Sequence, residues 1–276
     1  MADTATARRP FSIKRQTGFG FIAACCFIML YAPILILVLY SFNAGTSIAI
    51  WEGFSWRWYE AAWQNERVVD ASITSLKIAT AAALIATAAA TLAALATTRT
   101  RPYRGMTAIY AAINQPLMVP EIVTAVALLI FFAMIKVHTG YQGLGYLIAA
   151  HTAFCIPFAY LPIRARLENM DLSLERAAAD LYASPWQTFR HVTLPLMAPG
   201  IMAGAMLAFV ISLDDVVITE FVKSGGQDTL PTYMLGQLRR IISPEINAIS
   251  TVLLAISIAV VTIFFVLSRR GSKSSG

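Results

Sequence analysis

Three acidic residues, Glu121, Asp214 and Asp215, interrupt segments of otherwise apolar sequence. A carboxylate inside a long apolar segment is costly unless it is paired, lines a water-filled path or binds a cation. These residue types in this setting therefore favour a site for a positively charged solute. The competing interpretation is that the Asp pair caps a helix break or holds a partner subunit.

The sequence lacks the motifs of several other chemistries. It has no GxxxxGK[ST] loop with which to bind and split ATP, and no Ser/His/Asp set or metal-spaced cluster typical of an enzyme site. Cys25, Cys26 and Cys155 lie in apolar runs and are expected to be small buried hydrophobic residues. His151, alone in its run, is expected to be a hydrogen-bonded structural residue. Neither a metal site nor enzymatic activity is predicted.

The composition places the chain in the membrane class, with 58% hydrophobic and 13% charged residues. Its 276 residues suffice for about six spans of ~20 residues and leave no room for a separate soluble domain. The net charge of +6 does not indicate nucleic acid, because Lys and Arg gather at the ends of apolar runs. The predicted fold class is all-α, a polytopic membrane protein with six transmembrane helices.

Six apolar runs define the predicted spans. They cover residues 19–42, 71–96, 106–135, 146–163, 196–213 and 246–267. The first run is too long for the core of a removable signal peptide and lacks a clear cleavage site. The chain is therefore predicted to comprise a tail of residues 1–18, a six-helix domain of residues 19–268 with a polar loop at 164–195, and a tail of residues 269–276.

The basic residues predict how these spans are oriented. Fourteen of the 21 fall in segments that would be cytoplasmic and six in external segments. By the positive-inside rule both termini are then cytoplasmic. Residues 43–70 would lie outside, and they hold four of the five tryptophans. Such a segment is expected to form an interfacial helix and not an aromatic cage for a ligand.

Glu121 follows two prolines that break the third run. Pro120 suits the first position of a helix, which places Glu121 in the first turn, where the helix dipole stabilises a carboxylate. Its role is either to satisfy the broken backbone or to line a path, and the sequence leaves both open.

The Asp pair lies near the end of the fifth run. The apolar pattern predicts one helix from Pro195 through the pair to Val222, which places the acids in the outer half of the membrane, about 28 Å from Pro195. Adjacent helical positions point about 100° apart, so only one of the two can face a path squarely. Asp215 is favoured for a cation, because Asp214 shares the more apolar face.

The polar interval at residues 171–200 separates two apolar blocks. Ser173 is predicted to cap a first, amphipathic helix. Its apolar positions recur at helical spacing: Leu174, Ala177, Ala178 and Leu181. Ser184, with proline next and Gln187 three residues on, is predicted to cap a second short helix, which Leu194-Pro195 then stops. The pattern is that of a docking surface, and the alternative is an amphipathic loop lying on the membrane.

This interval resembles the EAA loop of ABC-importer permeases, in which Glu-Ala-Ala is followed by three residues, Gly, nine residues and Ile-x-Leu-Pro. The positions that match are Ala177, Ala178, Val192, Leu194 and Pro195. Arg176 stands where the family usually has Glu, with Glu175 one residue earlier, and Tyr182 stands where it has Gly. A non-glycine residue there is expected to adopt an αR or bridge conformation.

The resemblance implies that the loop forms coupling helices that sit in a groove of an ATPase subunit. The coupling residues it implies are Glu175, Arg176, Ala177, Ala178, Asp180, Leu181, Tyr182, Leu194 and Pro195.

Two further stretches, SLDDVV at residues 212–217 and SPEINA at 243–248, resemble the subgroup of PotC/PotI type, the permeases of spermidine and putrescine importers. The resemblance implies a type I importer core in the bacterial inner membrane, with Asp215, Asp214 and Glu121 lining a polyamine path. The implied partners are a second homologous permease, two ATPase subunits that bind ATP and Mg, and a periplasmic substrate-binding protein. No cofactor is expected in this chain itself.

Two alternatives stay open. Opine, phosphonate and related permeases are near relatives within the same family, so another small solute is possible. A secondary transporter or channel without ATP would also use broken helices and buried acids, although the two halves of this chain show no evident repeat.

Overall fold

The structure is a computed structural model that describes residues 17–47, 50–100, 103–239 and 244–273. Within these ranges the chain is helical, with one isolated antiparallel bridge between Asn43 and Phe54. The helices are α1 (Thr17–Tyr40), α2 (Arg57–Gln64), α3 (Glu66–Thr98), α4 (Met106–Met118), α5 (Glu121–Thr139), α6 (Gly145–Glu168), α7 (Ser173–Asp180), α8 (Pro185–Thr188), α9 (Leu194–Asp214), α10 (Val217–Val222), α11 (Leu230–Leu238) and α12 (Pro244–Lys273). Nearly all of the predicted N-terminal tail lies outside the described residues.

Six helical segments of the described ranges are long and apolar enough to cross a membrane, which confirms the predicted number. They are Gly18–Tyr40, Glu66–Thr98, Glu121–Thr139, Gly145–Glu168, Pro185–Asp214 and Pro244–Val266. The third run is broken as predicted, because α4 and α5 are separate helices on either side of Val119 and Pro120. Pro116 lies inside α4, so only the second proline breaks the run.

The contacts divide the chain into two compact units, residues 1–61 with 243–251 and residues 62–242 with 252–276. In the first unit, buried Asn43 organises the loop after α1. Its Nδ2 donates to the carbonyl oxygens of Ser47 and Ile50 at 3.0 and 2.7 Å, and its Oδ1 accepts from the N–H of Glu52 at 2.8 Å. One buried amide thereby fixes a loop that has almost no regular structure of its own.

The aromatic residues of this loop pack against one another. The ring of Phe42 lies 4.9–5.3 Å, between centroids, from the rings of Phe54, Trp56 and Tyr59. The Phe42–Phe54 pair is stacked and the Phe42–Trp56 pair is edge-to-face, two arrangements that aromatic side chains favour.

The cysteine prediction holds for one residue and fails for two. Cys155 is buried, whereas Cys25 and Cys26 lie exposed on α1. Most side chains of that helix are likewise exposed within this chain, so an apolar run in the sequence did not imply burial. A membrane-spanning helix can turn its apolar residues to lipid, which is as apolar as a protein core.

In the second unit, α3, α6 and α9 pack against one another. The buried face of α3 is rich in alanine at helical spacing, which allows neighbouring helices to approach closely. Gly200 and Gly204 of α9 are buried, and a Cβ added at Gly204 would lie 2.7 Å from the carbonyl oxygen of Ala159 on α6. These small residues allow the backbones of α6 and α9 to lie close together.

Candidate functional site

The chain leaves the helical path at the Asp pair. α9 ends at Asp214, Asp215 is extended with φ −66° and ψ 132°, and α10 begins at Val217. The prediction of one continuous helix to Val222 was therefore wrong. At the break, the Asp215 carboxylate accepts hydrogen bonds from the N–H groups of Ile218 (3.3 Å) and Thr219 (2.9 Å) and so replaces helical carbonyls.

His151 lies behind this break and joins three helices. Its Nδ1 is 2.7 Å from Ser212 Oγ on α9, and its Nε2 is 2.9 Å from Thr219 Oγ1 on α10. The same Nε2 lies 3.4 Å from Asp215 Oδ2, and the imidazole is almost fully buried. The prediction of a hydrogen-bonded structural histidine is confirmed.

The three acidic residues come together at one cavity. Glu121, in the first turn of α5 as predicted, lines it with Asp214 and Asp215. The volume is about 360 Å³. The remaining lining residues are apolar: Phe154, Val210, Ile211, Val216 and Val217. Packing of α5 against α10 brings Glu121 to a pair of residues more than ninety positions later in the chain.

The three carboxylates differ in exposure. Asp214 is exposed, Glu121 is half-buried and Asp215 is only 7% exposed. The prediction that Asp215 faces the cation assumed that both Asp residues lie on one continuous helix. They do not, so that reason no longer holds. Asp214 and Glu121 are the carboxylates that can reach a solute in the cavity.

The residues that line this cavity include no basic side chain. Adjacent carboxylates in an apolar setting repel one another, and a cation placed between them removes that repulsion. The site is therefore chemically suited to an ammonium group, with the Phe154 ring offering an apolar wall.

The predicted docking loop forms two helical pieces, but its first cap is not Ser173. Ser173 is the first residue of α7, and its N–H and hydroxyl donate to the Asp171 carboxylate at 2.8 and 2.6 Å. These hydrogen bonds lower the pKa of the Asp171 carboxyl. The N-cap position of α7 is occupied by Leu172, which has no capping side chain, and the Asp171 carboxylate forms an Asx turn just before the helix.

Tyr182 has a φ of +60°, so the expectation of a conventional conformation was wrong. The N–H groups of Tyr182 and Ala183 donate to the carbonyl oxygens of Ala179 (2.9 Å) and Ala178 (3.1 Å). This pair of bonds is the Schellman ending of α7, which requires a left-handed residue at position 182. The hydrogen-bonding demand of the helix end thus outweighs the steric cost of a Cβ.

The second piece begins as predicted and does not stop where predicted. Ser184 and Gln187 form a reciprocal capping box at the start of α8. Leu194-Pro195 does not end the helix, because a π-helical turn, Phe189–Thr193, joins α8 to α9. Pro195 lacks an N–H and would clash with the carbonyl four residues earlier in an α-helix, and the wider turn accommodates it.

Much of the loop's apolar surface is uncovered. The large side chains concerned are Leu172, Leu174, Leu181, Tyr182 and Trp186. Of the other implied coupling residues, Arg176, Ala177, Asp180 and Pro195 are exposed, and Ala178 and Leu194 are half-buried. Exposed apolar residues grouped in this way mark an interaction surface.

Glu175 points away from that surface. Its Oε1 accepts from Arg99 Nε, where α3 ends, at 3.2 Å and from Thr193 Oγ1 in the π turn at 3.0 Å. Sequence reasoning missed Arg99 and Thr193, because nothing local marks contacts 76 and 18 residues away. A weak signal existed for the acidic site, since Ser212, Asp215 and Thr219 form a polar stripe at i, i+3 and i+7 in an apolar run.

Six helices of membrane-spanning length in the described ranges, an open acidic cavity and an exposed helical loop are features of a membrane permease. The chain belongs to the family of binding-protein-dependent transport system inner membrane components, whose family model matches residues 86–271. As members of that family, such chains are non-catalytic permease subunits of ABC importers.

Named relatives agree over most of the chain. The putrescine transport system permease protein PotI of Escherichia coli K12 is 37% identical over 88% of this chain and 88% of its own. The spermidine/putrescine transport system permease protein PotC of Haemophilus influenzae is 37% identical over 88% of this chain and 93% of its own. PotC of E. coli K12 is 34% identical over 95% and 98%.

Solved structures support the fold. A chain of a bacterial ABC transporter that imports the acidic polysaccharide alginate superposes with a TM-score of 0.73 at 17% identity, covering 92% of this chain and 94% of that one. A chain of the MetNI methionine ABC transporter gives 0.62 at 18% identity, over 74% and 95%. At these identities the likeness concerns the six-helix importer fold alone.

Proposed function

We propose that this permease carries polyamines, and that Asp214 and Glu121 bind the ammonium groups of a di- or tricationic amine on its path. The observation that carries the proposal is the convergence of three carboxylates on one cavity within an apolar bundle. The names of the relatives, which are putrescine and spermidine/putrescine permeases, support the same class of solute.

The two proposed ligands follow from accessibility. Asp214 is exposed and Glu121 is half-buried, whereas Asp215 is buried and its Oδ2 accepts hydrogen bonds from the N–H and hydroxyl of Thr219. A carboxylate that already accepts several hydrogen bonds is a poorer ligand for an ammonium. The role of Asp215 is then to shape the site.

The apolar lining suits the rest of a polyamine. Such a molecule alternates charged ammonium groups with methylene segments, so it needs carboxylates beside an apolar wall. Phe154, Val210 and Ile211 supply that wall, and an aromatic face also attracts an alkylammonium.

The exposed helical loop is the proposed contact with an ATPase. Its uncovered leucine, tyrosine and tryptophan side chains would be buried by a partner, and the chain carries no nucleotide-binding motif of its own. ATP and Mg would bind to two such ATPase subunits. A second homologous permease and a periplasmic substrate-binding protein complete the proposed assembly.

The proposed location is the bacterial inner membrane, with both chain termini in the cytoplasm. The excess of basic residues in the corresponding segments supports this orientation. It places the docking loop on the side where ATP is available.

Uptake of radiolabelled putrescine and spermidine by cells that express the complete importer tests the cation site. Asp214→Asn and Glu121→Gln should each lower uptake at least about tenfold. The attraction between a carboxylate and an ammonium group is stronger in an apolar site than in water, so its loss weakens binding more. Asp70→Asn removes an exposed carboxylate outside the cavity and should leave uptake unchanged. Normal uptake by both cavity variants would show that the acids are structural.

The energy source is tested in the same cells. Vanadate should block uptake and an uncoupler should not, whereas the reverse result would identify an ATP-independent transporter.

A further inference from the structure

The cavity residues are held by a hydrogen-bonded chain that runs behind them. It comprises Ser212, His151, Thr219 and Asp215, all buried, and it connects α6, α9 and α10. The function proposed above leaves these contacts without a role, although burying four polar side chains in an apolar bundle is costly unless each is satisfied.

With a neutral imidazole and an ionised Asp215, one set of hydrogen-bond directions satisfies all four side chains. The hydroxyl of Thr219 donates its single hydrogen to Asp215 Oδ2 at 2.8 Å. Its contact with His151 must therefore use a hydrogen on Nε2, so Thr219 Oγ1 accepts there. In the neutral imidazole Nδ1 then has no hydrogen and accepts from the hydroxyl of Ser212 at 2.7 Å. Each donor has one acceptor, and the chain ends on the Asp215 carboxylate.

These hydrogen bonds favour a broken backbone at Asp215 over a continuous helix from α9 to α10. A helical Thr219 hydroxyl can turn back to the carbonyl four residues earlier, which is its usual intrahelical partner. The Nε2–H of His151 occupies the oxygen of that hydroxyl and leaves its hydrogen directed at Asp215. Asp215 in turn accepts the N–H groups of Ile218 and Thr219, which would otherwise bond to the carbonyls of residues 214 and 215 and continue the helix.

Without the contacts of His151 and Thr219, the apolar sequence on both sides of the break favours a helical segment. α9 and α10 are separated by only Asp215 and Val216, and their flanking residues are apolar. A continuous helix would rotate Asp214 and Asp215 about 100° apart on one axis and remove their shared approach to the cavity.

We infer that His151 is a positioning residue for the acidic cavity: acting through Thr219, it fixes Asp215 in the break between α9 and α10, and the break presents Asp214 to the cavity that Glu121 lines. This inference rests on the proposed cation site. It assigns Ser212 and Thr219 to the same function, although neither needs to touch the transported amine.

The test measures the local electrostatic potential in the cavity. In a background with Cys25, Cys26 and Cys155 replaced by alanine, Val210→Cys places one thiol in the cavity lining, one helical turn before Asp214. The assembled importer in proteoliposomes is reacted with a cationic and an anionic methanethiosulfonate of similar size, and the ratio of the two rate constants is recorded. Nearby carboxylates should make the cationic reagent about tenfold faster.

Two substitutions at one position separate positioning from charge. Thr219→Val keeps the shape of the side chain, removes the hydroxyl and changes no carboxylate-bearing residue. It should lower the ratio of rate constants about threefold, as Asp214→Asn should. Thr219→Ser keeps the hydroxyl and should retain the ratio. The ratio of the two rate constants does not depend on how much protein is present, so a variant that assembles in lower yield can still be compared. Should Thr219→Val fail to assemble, Ser212→Ala removes the hydroxyl at the other end of the chain and should also lower the ratio.

Each outcome has one meaning. An unchanged ratio in Thr219→Val, or in Ser212→Ala where that variant stands in, would overturn the positioning role while leaving the cation site intact. A ratio near one in the Val210→Cys parent would instead overturn the proposed cation site itself.

Discussion

Arg99 Nε donates to Glu175 Oε1 at 3.2 Å and so ties the end of α3 to the first helix of the docking loop. Thr193 donates to the same oxygen, which adds the π turn that leads into α9. The carboxylate therefore connects the exposed loop to two of the three helices that form the packed core of its unit. A movement imposed on α7 by a partner would be passed to both helices through this one side chain.

Glu175→Ala should uncouple transport from ATP hydrolysis. The Arg99 and Glu175 side chains are only 19% and 22% exposed, so removal of the carboxylate leaves a guanidinium poorly solvated at a cost of about 1–3 kcal/mol. Uptake should fall severalfold while ATPase subunits still copurify. Glu168→Ala breaks the more exposed Arg164 pair on α6 and serves as the control, with little effect expected. Uptake at the normal rate in Glu175→Ala would contradict this role.

Tyr182→Gly should stabilise the protein by about 1 kcal/mol. The residue has a φ of +60°, which is strained for any side chain with a Cβ, and its ring is 97% exposed and loses no packing. The thermal unfolding midpoint of the purified protein should rise. Tyr182→Ala keeps the strained Cβ and should leave the midpoint nearly unchanged, so an equal rise in both variants would show that the backbone is not the cause.

Gly204→Ala should destabilise the packing of α9 on α6. The added Cβ would lie 2.7 Å from the carbonyl oxygen of Ala159, and backbone cannot move away as a side chain can. Overpacking of this kind costs about 1–3 kcal/mol. Gly225→Ala meets nothing within 4 Å and is the matched control. Equal unfolding midpoints for the two variants would mean that the helices separate at little cost.

Leu181→Asp should prevent an ATPase subunit from docking without affecting folding. The side chain is 82% exposed, so a carboxylate there is solvated in the free chain and is desolvated only when a partner covers it. The amount of ATPase that copurifies should fall strongly, while the unfolding midpoint stays the same. Leu238→Asp, on α11, should leave copurification unaffected. Retention of the ATPase by Leu181→Asp would place the docking surface elsewhere.

The sequence by itself determined the membrane class, the six apolar helices and the two short helices of the polar loop. Each depends on composition, on apolar run length or on local caps, such as Ser184 with Gln187, whose physics acts within a few residues. The sequence also singled out Glu121, Asp214 and Asp215, which line one cavity, because a carboxylate in an apolar run is unusual wherever that run lies.

Tertiary structure decided what those residues do. The apolar pattern around Asp215 is helical on both sides, and the helix is broken by bonds that include a histidine 64 positions earlier in the chain. Likewise, nothing near Glu175 indicates that it faces Arg99 and not a partner. The local sequence shows which polar groups need a hydrogen-bond partner. Only the packing of distant helices supplies that partner, because side chains compete with the backbone for the same donors and acceptors.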